Sequence, residues 1–162
     1  MTALVWLTRD LRMHDHPALT AALEAHERVI PVFCLDDRLF HGRHASGPRT
    51  QFMLECLHQL GDALRERGGG LVIRRAPPER ALPALALETG AREVYCTADA
   101  GPFARGRASR VQQQLERSGA RLRPKPGLHA VDDLAALRTA AGEPYRVFSP
   151  FHRAWSRAAR RR

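Results

Sequence analysis

Residues 3–19 read ALVWLTRDLRMHDHPAL: an apolar run from Ala3 to Leu7, a stretch crowded with arginine, aspartate and histidine, then Pro17. The apolar run is short and nearly continuous, which marks a parallel strand covered on both faces. Pro17 suits the first turn of a helix reaching about His26, with Asp15 or His16 as its cap. A buried strand feeding a helix within ten residues is the first half of a β-α-β unit. The charge between them reads in two ways. It is a solvated turn in which Arg9 and Asp10 pair to stitch loops together, or it is the rim of a site.

The same alternation continues along the chain. Val29 to Leu35, Gly70 to Arg74, Glu93 to Cys96 and Arg121 to Arg123 read as further strands. Pro48 opens a second helix, in which Met53, Leu57, Leu60 and Leu64 repeat at i, i+4, i+7 and i+11 and make one buried stripe. Gly68-Gly69-Gly70 stops that helix. A third helix follows Pro77-Pro78 and ends near Gly90, and a fourth runs from Pro102 to near Gly119 with Val111 and Leu115 on its inner face. Five strands alternating with four helices predict an α/β domain: a doubly wound parallel five-stranded sheet, helices on both faces, joined by right-handed crossovers.

This pattern fills residues 1–126. Residues 127–162 read as an extended connection with one short helix between Leu128 and Leu137, then Tyr145-Arg146-Val147-Phe148-Ser149-Pro150-Phe151, Trp155 and a basic tail. Aromatic residues this close to a chain end normally pack against something. The sequence reads as though a second domain should follow.

The bulk properties narrow the function. A chain of 162 residues, 44% hydrophobic and 27% charged, suits one globular domain with a real core. No apolar stretch reaches the ~20 residues of a membrane span and no signal-peptide order opens the chain, so a cytoplasmic location is expected. Cys34, Cys56 and Cys96 are odd in number and far apart, which favours reduced thiols over disulfides or a metal centre. The net charge of +9 invites a nucleic-acid reading. Five arginines in the last ten residues account for much of it, however, and without them the charge falls to +4.

Parallel α/β sheets bind ligands beyond the carboxyl ends of their strands, near the point where strand order reverses. Three polar segments fall there: the stretch after the first strand, Asp36-Asp37 after the second, and Thr97-Ala98-Asp99-Ala100-Gly101 after the fourth. Arg9, by stacking or paired donors, and Asp99, by accepting from ring N–H groups, suit a polar planar ligand. No glycine-rich phosphate loop follows any strand, and no G-x-S-x-G elbow is present. The histidine pairs His14/His16 and His41/His44 lack partners at metal-ligand spacing, so no metal is expected.

Taken in order, these segments resemble the DNA photolyase/cryptochrome family. TRDLRMHDHPAL is similar to the family's R-R-D-L-R and N-P-A-L signature. Pro31-Val32-Phe33-Cys34-Leu35-Asp36 looks like its second strand, and Gly47 to Glu55 (GPRTQFMLE) like its P-x-R-x-x-F-L-x-E helix start. Asp99-Ala100-Gly101-Pro102-Phe103-Ala104-Arg105-Gly106-Arg107 resembles D-x-x-P-Y-x-R-x-R, and YRVFSPF with Trp155 resembles Y-x-V-F-T-P-F…W. The five segments are collinear over essentially the whole chain.

The resemblance implies a Rossmann-like N-terminal domain that holds a light-harvesting antenna chromophore. Family activity is deoxyribodipyrimidine photo-lyase, a carbon–carbon lyase reaction in DNA repair, or light sensing. FAD and the damaged-DNA surface belong to a C-terminal helical domain, which this chain is expected to lack, and without it no repair is expected. Deazaflavin is the expected antenna, ahead of FMN or methenyltetrahydrofolate. Folate-binding members use an Asn-Glu pair where Phe103 and Ala104 stand here, although His44 falls in a loop that they also use. Arg9, Phe33, Cys34, Arg49, Asp99, Phe103 and Arg105 carry over as candidate chromophore contacts. The chain departs from the pattern at Thr8 (for Arg), Gly101 (where an acid is frequent) and Phe103 (for Tyr). Each departure removes a polar contact or a charge near the proposed pocket. A stand-alone chromophore- or nucleotide-binding module and a cryptochrome-type photosensor are the alternative functions.

Overall fold

The computed structural model describes residues 1–41 and 45–160. Five strands, β1 (Thr2–Leu7), β2 (Arg28–Cys34), β3 (Val72–Arg74), β4 (Glu93–Thr97) and β5 (Arg121–Lys125), form one parallel sheet in the order β3-β2-β1-β4-β5. Helices α1 (Pro17–Ala25), α2 (Gly47–Arg65), α3 (Pro78–Thr89) and α4 (Pro102–Arg117) connect successive strands. This is the doubly wound sheet that the alternation predicts. Strand order reverses at β1, so the switch point lies between the carboxyl ends of β1 and its neighbours.

Alternate residues of β1 face opposite sides of the sheet, which gives the domain two cores. Leu4 and Trp6 pack with Val32, Val94 and the buried faces of α3 and α4, including Leu82, Leu85, Val111 and Leu115. Ala3, Val5 and Leu7 pack on the other side with Ala18 and Ala22 of α1 and Leu57 and Leu60 of α2. Because both sides are covered, every side chain from Ala3 to Leu7 is buried, hence the unbroken apolar run. Pro31 and Pro124 are tolerated at the margins of the ladder. The β2–β3 pairing begins only at Val32, and β5 is an edge strand.

The helices start and stop where their sequence says. Pro stands in the first turn of α1, α2, α3 and α4. Gly90 takes a left-handed conformation (φ 69°) to end α3. At the amino end of the sheet, Glu93 accepts hydrogen bonds from the Tyr95 hydroxyl (2.7 Å) and the Arg123 guanidinium (2.8 and 2.5 Å) and meets His26 at 3.2 Å. The Tyr95 bond, helped by Arg123 and His26, holds its carboxyl down at about 2 against a smaller burial effect.

One element was not anticipated. Residues that read as a connecting stretch form α5 (Phe148–Arg157). Pro150 lies within its first turn, where a missing N–H costs nothing, and Phe148, Phe151 and Trp155 stand at i, i+3 and i+7. The helix has no buried residue, and Phe148 is 73% exposed. Phe148 stacks on His152, His152 on Trp155, and Arg160 lies over the Trp155 ring. The short helix foreseen before it is a single 3-10 turn, Leu134–Ala136.

The three cysteines are free thiols, with Cys34 and Cys96 buried. Among the described residues no group of three or more His, Cys, Asp or Glu side chains is placed to hold a metal ion. No helix among them is long and apolar enough to cross a membrane.

Candidate functional site

Arg9 and Asp10, adjacent in the chain, separate at the carboxyl end of β1. Asp10 turns inward and is 2% exposed. Its Oδ1 accepts from the Thr8 amide at 2.9 Å and the Thr8 hydroxyl at 3.3 Å. Its Oδ2 accepts from the Thr97 hydroxyl at the end of β4 and faces His16 Nε2 at 3.0 Å. His16 is the N-cap of α1, its Nδ1 accepting from the Leu19 amide at 3.2 Å. A ring nitrogen that accepts carries no proton, so the His16 proton sits on Nε2, toward Asp10. Burial opposes the Asp10 charge, but the His16, Thr97 and Thr8 contacts outweigh it and hold the carboxyl well below the usual range. One buried carboxylate thus ties together the ends of β1 and β4 and the start of α1.

The turn around it is fixed by Arg12, whose guanidinium donates to the carbonyls of His14, Asp15 and Gly127. Asp15 takes a left-handed backbone (φ 46°), which short polar side chains tolerate. Gly127 closes against this turn. A Cβ there would sit 3.1 Å from Pro17 Cδ and 3.3 Å from Thr97 Cγ2.

Arg9 points the other way, 63% exposed at its side chain, and pairs with Asp99 Oδ2 at 3.0 Å. The loop-stitching pair anticipated between Arg9 and Asp10 is therefore an Arg9–Asp99 pair, because Asp10 is committed to the interior. The other Asp99 oxygen accepts the Gly101 amide at 2.9 Å. Asp36, also buried, is held by paired hydrogen bonds from Arg38 (2.9, 2.8 and 2.5 Å). Burial resists its charge, and those bonds overcome it to lower the carboxyl below its ordinary value.

Between these pairs lies a hollow of about 480 Å3 above the ends of β1, β2 and β4. Its walls are aromatic and aliphatic (Trp6, Leu7, Phe33, Leu39, Met53, Phe103) with Thr8, Arg9, Asp36, Asp99, Arg107 and His129 among the polar groups. Such a lining, mostly apolar with a few placed polar atoms, is that of a small-molecule site. It adjoins two smaller hollows. One, about 440 Å3, shares Leu39, Met53 and Phe103 and adds Arg38, Arg49 and Thr50. The other, about 360 Å3, shares Asp99, Ala100 and His129 and runs under residues 124–135.

Arg9, Phe33, Cys34, Asp99 and Phe103 all line the main hollow, while Arg49 lines the adjoining one beside Phe103. Arg105 lines neither and stands exposed on α4. Burial pushes the Cys34 thiol up to about 12, so it serves as wall rather than nucleophile. His44, Arg161 and Arg162 lie outside the described residues, and the His41/His44 pair with them.

Sequence reasoning passed over Arg107 and His129. The Arg107 guanidinium lies 5.1 Å above the Trp6 ring and 5.7 Å from that of Phe103. Burial lowers its proton affinity, with the charges of Asp36 and Asp99 acting the other way. Its Nε is buried and finds no hydrogen-bond partner, and the same holds for Nε2 of His129. The signal for Arg107 was its phase. Phe103, Arg107, Val111 and Leu115 repeat every four residues on α4, whereas Arg105 is about 200° away from Arg107 around the helix.

The sheet order, the crossover helices and the hollow at its switch point define a domain of the doubly wound α/β class. The family model for DNA photolyase matches residues 3–162, and the chain belongs to that family. It is 35% identical over 156 residues to a deoxyribodipyrimidine photo-lyase of Streptomyces griseus, covering 94% of this chain and 34% of that protein. Against cryptochrome DASH of Gloeobacter violaceus it is 44% identical over 99 residues, 58% of this chain and 20% of the other. In three dimensions it matches a Synechocystis cryptochrome with a TM-score of 0.87 at 26% identity, over 96% of this chain and 33% of that one. A Sulfolobus tokodaii photolyase, whose structure holds two FAD molecules with implication of a novel light-harvesting cofactor, matches with a TM-score of 0.84 and 26% identity. It is covered over 36% of its length, against 99% of this chain. The chain spans about a third of the length of the photolyase relative.

Proposed function

We infer that this chain is the antenna-binding domain of a deoxyribodipyrimidine photolyase, a light-driven DNA repair enzyme. The observation that carries the reading is the main hollow. In a member of this family, a cavity at the strand-order reversal has aromatic walls, a guanidinium and two buried nitrogens without partners. The residues fit a planar heteroaromatic chromophore. Phe33, Trp6 and Phe103 supply apolar faces, Arg9 and Asp99 a polar rim, and Arg107 and His129 polar atoms that need partners.

A bound antenna absorbs light and passes the excitation to FAD. The protein's own task is to hold the chromophore rigidly and exclude water from its ring. Deazaflavin is the ligand expected first, with FMN and methenyltetrahydrofolate behind it. On this reading FAD, the lesion-binding surface and repair belong to a helical domain outside these residues. The 162-residue chain alone would then leave cyclobutane dimers intact under light, in the cytoplasm and without a metal. A photosensor of the cryptochrome kind is the second reading, favoured by the 44% identity to cryptochrome DASH.

The test is direct. Titrating the purified chain with 5-deazariboflavin, FMN and methenyltetrahydrofolate, followed by visible absorption and fluorescence anisotropy, should give saturable binding of at least one. Failure of all three to bind overturns the antenna reading.

A further inference from the structure

Helix α5 carries an aromatic stripe that belongs to neither core. Phe148, Phe151 and Trp155 fall within about 60° of arc around the helix, with His152 at the edge of the same face. No residue of the helix is buried, and Phe148 and the preceding Val147 are 73% and 63% exposed. The ring contacts of the stripe are local ones: Phe148 with His152, His152 with Trp155, Phe151 with Tyr145, and Trp155 with Arg160. Cations take the other side. Arg153 and Arg157 stand about 140° and 180° around from Phe148, and Arg146 and Arg160 flank the helix. From Pro144 to Arg162 there is no Asp or Glu.

Charge and geometry narrow what covers this stripe. A second copy of the helix would bring arginines against arginines with no acid to offset them. A ten-residue helix, ~15 Å long, also falls short of the ~1,200 Å2 that a stable dimer buries. A nucleic acid stacked on the rings would need cations beside them to meet its phosphates, whereas Arg153 and Arg157 point away. A lipid surface suits both faces at once. Phe and Trp rings settle where headgroups meet acyl chains, and arginines on the opposite face stay at headgroup level, inside the negative surface potential. We propose that α5 seats the domain on an anionic lipid surface through Phe148, Phe151 and Trp155. This surface lies outside the hollow, and its assignment does not depend on the antenna reading.

The experiment sediments the full chain with sucrose-loaded vesicles, either phosphatidylcholine alone or phosphatidylcholine mixed with phosphatidylglycerol. Partitioning onto the anionic vesicles should be stronger by about tenfold or more, and added salt should weaken it. Trp155 emission should shift to the blue on binding, and Trp155→Phe should lose that shift. The pair Phe148→Ser and Phe151→Ser should lower partitioning by about tenfold or more. Thermal unfolding of the sheet should stay unchanged in that variant, since neither ring belongs to a core. The pair Arg153→Gln and Arg157→Gln should erase most of the preference for anionic vesicles. Equal partitioning onto the two vesicle types, or partitioning that survives the serine pair, overturns the proposal. Absence of partitioning overturns it as well. Sedimentation equilibrium and titration with a DNA oligonucleotide would then tell whether a second copy or a nucleic acid covers the stripe instead. None of these outcomes bears on chromophore binding in the hollow.

Discussion

Arg9 and Asp10 share a peptide bond, yet the two polar regions they enter follow opposite rules. The knot around Asp10 is sealed, since both carboxylate oxygens are engaged by groups from three segments, His16 Nε2 by close contact at 3.0 Å. The hollow that Arg9 borders is open, and two of its buried nitrogens are unmatched. A satisfied buried polar group is part of how the chain folds. Two unsatisfied ones in a single hollow are what the proposed ligand would answer. The charge at the end of β1 thus divides, one residue apart, into a buried knot and the rim of the hollow.

The contrast can be broken first at Asp10. Asp10→Ala removes the acceptor for the Thr8 amide, the Thr97 hydroxyl and the His16 ring, and should cost about 3–5 kcal/mol in urea denaturation. A loss under 1 kcal/mol would mean that the knot does not hold the strand ends. Gly127→Ala comes next. The added methyl meets Pro17 and Thr97, and a loss of about 1–3 kcal/mol is expected by the same measurement.

The acid limb of stability gives a third test. Because the folded-state pKa of Asp10 is depressed, its stabilisation is complete well above the unfolded value of about 3.9 and is lost as pH falls below it. Asp10→Asn, which cannot ionise, should flatten the pH dependence of the melting temperature between about pH 5 and pH 2.

Changes to the hollow should scarcely touch stability. Arg9→Ala removes an exposed ion pair worth less than about 1 kcal/mol. Arg107→Met should be neutral or slightly stabilising, because it removes a half-buried charge that has no partner. A large stability loss from Arg107→Met would move that residue from the site into the fold.

Much of this was legible in the sequence, for a physical reason. Parallel strands covered on both faces leave unbroken apolar runs such as Ala3 to Leu7, and Pro17, Pro48, Pro78 and Pro102 mark helix starts wherever they fall. The site was legible only as a neighbourhood. Position at the ends of β1, β2 and β4 placed Arg9, Phe33 and Asp99 around one hollow, but which residue of a helix faces inward depends on phase. A family motif carried over by pattern named Arg105, which stands exposed on α4 outside the hollow, because pattern ignores phase. His129 gave no signal at all, since it reaches the hollow through the packing of a loop. The helix α5 was hidden because its apolar stripe packs into no core, Phe148 being exposed and Phe151 and Trp155 only half-buried.

The chain contains two tryptophans, and they occupy opposite circumstances. Trp155 stands on α5 under Arg160, far along the chain from the sheet, while Trp6 forms the floor of the hollow beneath Arg107. The protein therefore carries its own optical gauge. In a Trp155→Phe background every photon emitted by indole comes from Trp6, and any absorber seated above it drains that emission. Occupancy can then be read by the light the domain ceases to give off.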